Sequence, residues 1–415
     1  MQSQPIFSLT IPTLGKVEQL ELTIRSVLEQ NFSDFEIIAI DSGPAKKSAP
    51  LIQSFNDKRI QYVNTEGQDP RLNWDVGFEH SKGQYVMWID DDNYLLPHEL
   101  STLAEMIKES NADVVAGFHV HWRDLAYPIK KGRNQLIIRQ DLFDHRKRYL
   151  NPQNVIRMIL GLPYEGERIR TRFHHTEHAI KREIIEELRR RMGKIDWGST
   201  STHALRIGTM ALAKSIYYFD VPLCIVGQYG ESMTFRWPKD SSQIKHATYT
   251  FRLSPVKGKT YTNYVHENHL LIKHFLPKEL ADFEIDSGKF IKDVYIHDLV
   301  FLNEPWRTLW QHWNDLYRLS WANQNEKFRE LKTKVIIYSL LALFVKTLRF
   351  LWLLPILQSI FIRRRLPQKD LIIISLDKYE VKNIRDCAQK LPEIIEKELK
   401  IKYGNFIITR PFNNF

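Results

Sequence analysis

The chain is almost devoid of cysteine: Cys224 and Cys387 are the two in 415 residues, and they stand far apart in unrelated surroundings. That excludes a disulfide framework and a cysteine-based zinc site, and it suits a reducing compartment. A basic leader followed by a long apolar core is also missing, because the opening MQSQPIFSLTIP enters a strand-like run by Ile6. The N-terminal part is therefore expected to stay in the cytosol. No glycine-rich phosphate loop follows that first run, where Pro12, Thr13, Leu14 and Gly15 stand instead, which argues against a nucleotidyltransferase loop. Internal repeats, low-complexity tracts and a charge-free apolar run of bilayer length are absent too.

What is present is an ordinary core composition, 43% hydrophobic and 26% charged, with a formal net charge of +10. The charge favours an anionic partner: a phosphorylated substrate, an anionic membrane surface or nucleic acid. Nucleic acid is the weakest of the three, because the basic residues are dispersed and no recognition-helix pattern occurs. The length exceeds one compact domain, so a main domain with a sizeable appendage is expected.

Over residues 1–120, short apolar runs alternate with helical periodicity, the pattern of an α/β domain with a largely parallel sheet. Strands are predicted at Ile6–Ile11, Glu36–Ile40, Ile60–Val63, Tyr85–Ile89 and Val114–Phe118. Leu20, Ile24, Val27 and Leu28 recur at helical spacing, and Pro97 suits the first turn of a helix through Leu103, Met106 and Ile107.

The fourth strand ends in three carboxylates, Asp90, Asp91 and Asp92, inside YVMWIDDDNYLLP. Three clustered negative charges at the tip of a buried strand call for a cation. If the segment stays extended, Asp90 and Asp92 share one side as metal ligands and Asp91 turns to the other. An EF-hand is excluded, since the glycine it needs is Leu95. Pro12 and Thr13 follow the first strand, and Asp41 and Ser42 the second. Ligands of open α/β sheets bind beyond the carboxyl ends of strands, so these loops are expected to share one rim with the acidic tip.

Residues 124–182 are rich in Arg, Lys and His with weak periodicity, and read equally as a solvated basic surface or as a cover for an anionic substrate. His174, His175 and His178 lack a metal-ligand pattern and are expected to be solvated or to face an acceptor. A charged helix is predicted at Lys181–Met192, and one or two buried strands at Ile216–Gly227 around Pro222. From about Leu270 the chain becomes helical and aromatic.

The stretch Val335–Ile362 is long enough to span a bilayer but carries Lys346 and Arg349. A mid-bilayer cation costs about 2.5 to 3.5 kcal/mol on insertion scales. With Lys332 and Ser339 these cations fall on one helical face, opposite Ile336, Leu340, Leu343, Phe344 and Leu351, and Pro355 should kink or end the helix. An in-plane amphipathic helix followed by Arg363, Arg364 and Arg365 among anionic headgroups is the expectation, against a core or oligomer interface. Residues 370–415 read as a small βα unit.

In order and spacing, SLTIPTLGKVEQLELTIRSVLEQNFSDFEIIAIDSG followed by RLNWDVGFEHSKGQYVMWIDDDNYLLP resembles the catalytic domain of family 2 glycosyltransferases. The likeness is close over residues 5–120 and loose over 170–232. It implies a GT-A fold, Rossmann-like, with a mostly parallel sheet flanked by helices, and leaves the C-terminal half unexplained, where the patterning above predicts a helical, membrane-associating region. Together with that patterning, the expected division is a catalytic domain at 1–235, a helical extension at 236–331, an amphipathic segment at 332–366 and a small C-terminal segment at 367–415.

The implied activity is transfer of a sugar, with inversion, from a nucleotide diphosphate sugar, commonly UDP-linked, to a glycan or lipid-linked acceptor. Mg²⁺ or Mn²⁺ would assist, and the missing leader and the amphipathic segment add the expectation of a cytoplasmic membrane face. By match, Thr10 and Pro12 would border the nucleotide, Asp41 would bond the base, and Arg71 would lie near the diphosphate. Asp90 and Asp91 would contact donor, Asp90 also lying near the metal, and Asp92 would be its direct ligand. The chain departs from many relatives in having Asp41, Ser42, Gly43 and Pro44 after the second strand, and Asn73, Trp74 and Asp75 before Gly77. The resemblance puts the catalytic base at Asp196, in GKIDWGSTSTHAL, although Ile195 stands where an acidic residue is common. Asp196 could equally cap a helix, and Glu165, Glu167, Glu177 and His203 remain rivals. A GT-A-fold binding protein without catalysis, or a nucleotidyltransferase, are the alternatives from other classes.

Overall fold

The computed structural model describes residues 4–44, 47–66, 68, 72–128, 130–139, 146–160, 162–165, 173, 175–195, 201–230, 252–254, 261–284 and 371–399, with scattered helical positions between 310 and 344. Within the first half, β1 (Phe7–Thr13), α1 (Val17–Leu28), β2 (Phe35–Asp41), α2 (Ala49–Ser54), β3 (Ile60–Asn64), α3 (Asn73–His80) and β4 (Tyr85–Trp88) alternate as the apolar patterning predicts. Then come β5 (Asn93–Leu95), α4 (Glu99–Ser110), β6 (Val114–Arg123), β7 (Gln135–Arg139), β8 (Lys147–Leu150) and α5 (Pro152–Leu160). The remaining elements are β9 (His178–Lys181), α6 (Arg182–Met192), α7 (Ser201–Leu212), β10 (Ile216–Gln228), α8 (Tyr261–Phe275), β11 (Leu371–Ser375) and α9 (Ile384–Leu399).

Among the described residues, the main path of an 11-stranded sheet runs β11-β7-β6-β9-β4-β1-β2-β3, with β10 pairing β5, β6 and β8 off it. β3, β2, β1 and β4 are mutually parallel. The chain order reverses between β1 and β4, the switch point at which ligands of such sheets sit. Phe7, Leu9, Ile11, Ile37, Ala39 and Met87 are fully buried in the core, which is why these strands read as apolar runs.

Two compact units divide the chain. One is residues 1–196, 205–230 and 370–415, and the other is 197–204 and 231–369. In the first unit the C-terminal βα pair completes the sheet: β11 lies antiparallel to β7, and Cys387, Leu391, Ile394 and Ile395 of α9 join the main core. Arg385 of α9 donates to Glu29 at 2.9 Å. In the second unit, the buried Glu267 of α8 accepts backbone N–H bonds from Arg252, Leu253 and Ser254. Among the described residues, no helix is long and apolar enough to cross a membrane.

Several expectations shift in detail. β10 is one continuous strand whose register slips on both sides of Pro222, since proline lacks the ladder donor. Helix α4 starts after Pro97, at Glu99, and the Pro97 carbonyl accepts the Asn31 N–H instead. The basic stretch is partly spent on pairs within the fold: Arg148 forks onto the fully buried Asp220 through bonds of 2.5 and 3.2 Å, while Lys147 meets Glu109 at 2.6 Å on the surface. His175 and His178 are buried and not solvated.

His98, at the head of α4, places Nε2 3.0 Å from the Pro222 carbonyl. Burial pushes its pKa down to about 4 from 6.5, the carbonyl opposing, so a neutral ring donates Nε2–H. A folded value below the ordinary one means stability is lost as pH falls from 6.5 towards about 4, by about 3 kcal/mol in total. Urea midpoints at pH 7 and pH 4.5 are expected to differ less in His98→Gln than in the wild type. An equal acid loss in both would place the effect elsewhere.

Candidate active site

The site grows from the carboxyl ends of β2, β1 and β4. β1 lies between the other two, so the loop after it, residues 14–16, separates the Asp41 loop from the acidic tip. Close packing holds these loops. A Cβ on Gly43 would meet the Gly15 nitrogen at 2.8 Å, and Gly15 itself has φ +83, which favours glycine.

Asp41 ends β2 fully buried, and its own loop occupies it. Oδ1 accepts the Gly43 N–H at 2.8 Å, while Oδ2 accepts the Ser48 N–H and the Tyr62 hydroxyl, both at 3.2 Å. Burial and then Asp41 push the Tyr62 phenol up to about 12. Thr10 is fully buried and donates to the Met87 carbonyl at 3.3 Å. Its side chain packs α3 onto β1, where a Cβ on Gly77 would lie 2.9 Å from the Thr10 Cβ, so Thr10 does not reach the rim. Pro12, half-buried, and Thr13 do.

The acidic tip departs from the extended geometry assumed for it. β4 stops at Trp88, and a turn closed by the Asn93 N–H on the Asp90 carbonyl, at 3.2 Å, carries the three carboxylates. Period-two alternation holds only while the backbone is extended, so the expected pairing of Asp90 with Asp92 fails. Asp91 and Asp92 instead face a common cation: Lys16 Nζ is 3.2 Å from Asp91 Oδ1 and 3.2 Å from Asp92 Oδ2. The Thr13 hydroxyl donates to the other Asp91 oxygen at 2.7 Å. Asp90 turns aside, its Oδ2 2.9 Å from Nε2 of the buried His175.

These contacts set the charge state. Burial pushes Asp92 up to about 7, Lys16 opposing and Asp91 and Asp90 adding to the rise. Burial raises Asp91 likewise, against Lys16 and Thr13. Asp90, though burial pushes it up, is held below the ordinary carboxylate value by His175 and Lys16. Burial would lower the Lys16 ammonium, but Asp91 and Asp92 raise it above its ordinary value.

The donor set fits a hard divalent cation. Two carboxylates converge on one positive atom, the Lys16 ammonium standing in for an ion, and oxygen is the ligand such ions prefer. Among the described residues, no group of three or more His, Cys, Asp or Glu side chains encloses a metal position. Donor oxygens would therefore have to complete the shell.

Helix α3 joins the parts. Asn73 donates to Ser42 at 2.5 Å and accepts from Thr65 at 3.2 Å. Trp74 stacks on Trp88 at 5.4 Å and meets the His175 ring edge-on at 5.0 Å. Asp75 accepts the Ile195 N–H at 2.8 Å, holding the residue before Asp196. Arg71, Asp196, His174 and Glu167 lie outside the described residues, as do the side chains of Glu177 and His203. Glu165 is described through its carbonyl, which accepts a bond from Asn154 at 2.9 Å. Sequence reasoning missed Lys16 and His175 as partners of the tip. Lys16 had one available signal: a single cation on the loop between two acidic strand ends.

The family model described as "Glycosyl transferase family 2" matches residues 8–187. The GalNAc(5)-diNAcBac-PP-undecaprenol beta-1,3-glucosyltransferase of Campylobacter jejuni is 33% identical over 114 residues, which are 26% of this chain and 37% of that protein. The poly(ribitol-phosphate) beta-N-acetylglucosaminyltransferase TarS of Staphylococcus aureus is 22% identical over 114 residues, 26% of this chain and 20% of that one. The chain thus spans well under half the length of these curated relatives. The crystal structure of Staphylococcus aureus TarS 1–349 in complex with UDP aligns with TM-score 0.51 at 14% identity, over 80% of this chain and 88% of that one. This likeness is one of fold. The glycosyl transferase family 2 model thus matches the stretch, residues 8–187, that carries the α/β sheet and the acidic turn at its switch point.

Proposed function

We propose that the chain transfers a sugar, with inversion, from a nucleoside diphosphate sugar to a hydroxyl of a glycan or lipid-linked acceptor, assisted by Mg²⁺ or Mn²⁺. The observation that carries this reading is the convergence of Asp91, Asp92 and Lys16 between the β1 and β4 ends, one loop away from Asp41. Asp92, with a neighbouring carboxylate of the tip, would hold the cation, which when bound supplies charge neutralisation to the departing diphosphate. Pro12 and Asp41 border the nucleotide end. For Asp41 to bond a uracil, the ring must share a carboxylate that already accepts three bonds. Arg71 serves the diphosphate and Asp90, oriented by His175, the ribose side. Asp196 takes the acceptor proton as general base.

The names of relatives support the substrate class: an undecaprenol-linked glycan for one and poly(ribitol-phosphate) for the other. A thermal-shift panel of nucleoside diphosphate sugars with Mn²⁺ tests the donor, since a ligand that binds only the folded state raises the midpoint. A UDP-linked sugar is expected to raise it, and a flat response to every donor would overturn the reading.

Peripheral contact with an anionic membrane belongs to the same proposal. Ile336, Ile337, Leu340, Leu341 and Phe344 are helical and exposed, the last to 58%, at spacings that share one helical face. The opposing cations Lys332, Lys346 and Arg349, with Leu343, Leu351, Pro355 and Arg363 to Arg365, lie outside the described residues. Replacing Leu340 and Phe344 together by Glu is expected to cut co-sedimentation with phosphatidylglycerol vesicles about tenfold or more. Unchanged co-sedimentation would count against membrane contact through this face.

A further inference from the structure

Lys16 is a cation in the wrong place for a bystander. Its ammonium bonds Asp91 and Asp92 equally, at 3.2 Å each, and its side chain keeps 22% exposure, so a path outward exists. It follows Gly15, which lies against Gly43 beside Asp41, the carboxylate proposed to border the nucleotide. Thr13 ties the start of the Lys16 loop to the acidic tip, donating to Asp91 at 2.7 Å and accepting the Gly15 N–H at 3.2 Å. An ammonium and a divalent ion cannot share two carboxylates without strong like-charge repulsion.

We propose that Lys16 makes cation binding at the acidic tip conditional on the nucleotide. While the donor is absent, the ammonium holds the ion's position and keeps two buried carboxylates neutralised. Entry of the nucleotide beside Gly15 and Gly43 shifts the loop, and the donor's anionic phosphates draw the ammonium off the carboxylates, freeing them for the ion. Lys16 is a positioning residue in this scheme, and its role rests on the proposed reading of Asp92 as cation ligand. No bond is made or broken.

The test is Mn²⁺ affinity of the full chain, from the electron paramagnetic resonance of free Mn²⁺ and from calorimetry, with and without UDP. Wild type is compared with Lys16→Gln, Lys16→Met and Asp92→Asn, each checked for a cooperative unfolding transition. Wild type is expected to bind Mn²⁺ weakly alone and about tenfold or more tighter with UDP. Both Lys16 variants are expected to bind Mn²⁺ alone about tenfold or more tighter than wild type, and to gain less from UDP. If either well-folded Lys16 variant binds Mn²⁺ alone no tighter than wild type, or if wild type binds it equally with and without UDP, the gating role fails while the Asp92 site stands. If Asp92→Asn binds Mn²⁺ like wild type under both conditions, the underlying reading of the tip fails instead, and the gate with it.

Discussion

Asp92→Asn is expected to lower sugar transfer, and donor hydrolysis with Mn²⁺, by about a thousand-fold or more, because the lost charge neutralisation is worth roughly 4 kcal/mol in the transition state. The same substitution is expected to stabilise the fold in the absence of metal. Burial has pushed the Asp92 carboxyl up to about 7 from 3.8, so its ionised form is disfavoured in the native state. For such a group the stabilising contribution is complete below the unfolded value and fades as pH rises through the folded one. The wild type should therefore lose stability between about pH 4 and pH 7 in metal-free buffer, and Asp92→Asn should lose less. Opposite signs for rate and stability separate this result from simple misfolding. A variant that keeps its turnover would show that the tip does not hold a working cation, and a wild type that turns over no donor would favour a binding protein.

Asp196→Asn is expected to cut kcat by about a hundred- to ten-thousand-fold, the range for loss of a positioned general base, while the UDP-induced thermal shift stays unchanged. In the proposed mechanism the base acts on the acceptor and not on the donor, so donor affinity is the internal control. Asp75 supplies a second route to the same conclusion. Its carboxylate accepts the Ile195 N–H at 2.8 Å and lies 3.5 Å from Arg189 Nε. Asp75→Asn, which keeps an acceptor oxygen, should retain most activity, and Asp75→Ala should lower kcat with little change in donor binding. Full activity in Asp196→Asn would move the base to Glu165, Glu167, Glu177 or His203.

Much of the sheet was legible because it is local. Runs such as Phe35–Asp41 and Tyr85–Trp88 are apolar on both faces, as central parallel strands must be, and α1 carries its buried Leu20, Ile24 and Val27 at helical spacing. β5 was not legible, since three residues after the acidic tip carry no period of their own and become a strand only by pairing with β10. The βα character of the C-terminal segment could be read from its pattern. Its strand's partner could not, because β7 lies more than 200 residues earlier in the chain.

Within the site, the residue types were set by sequence alone: an acidic cluster after an apolar strand, Asp41 after another, and Pro12 and Thr13 after a third. Tertiary structure decided which of them meet. Lys16 reaches carboxylates 75 and 76 positions away, and His175 captures Asp90 from a separate element, once the turn at residues 90–93 ends the alternation that an extended strand would have imposed. Period and propensity are properties of neighbouring residues, whereas ion pairs between loops depend on strand order and register, which the whole chain fixes together.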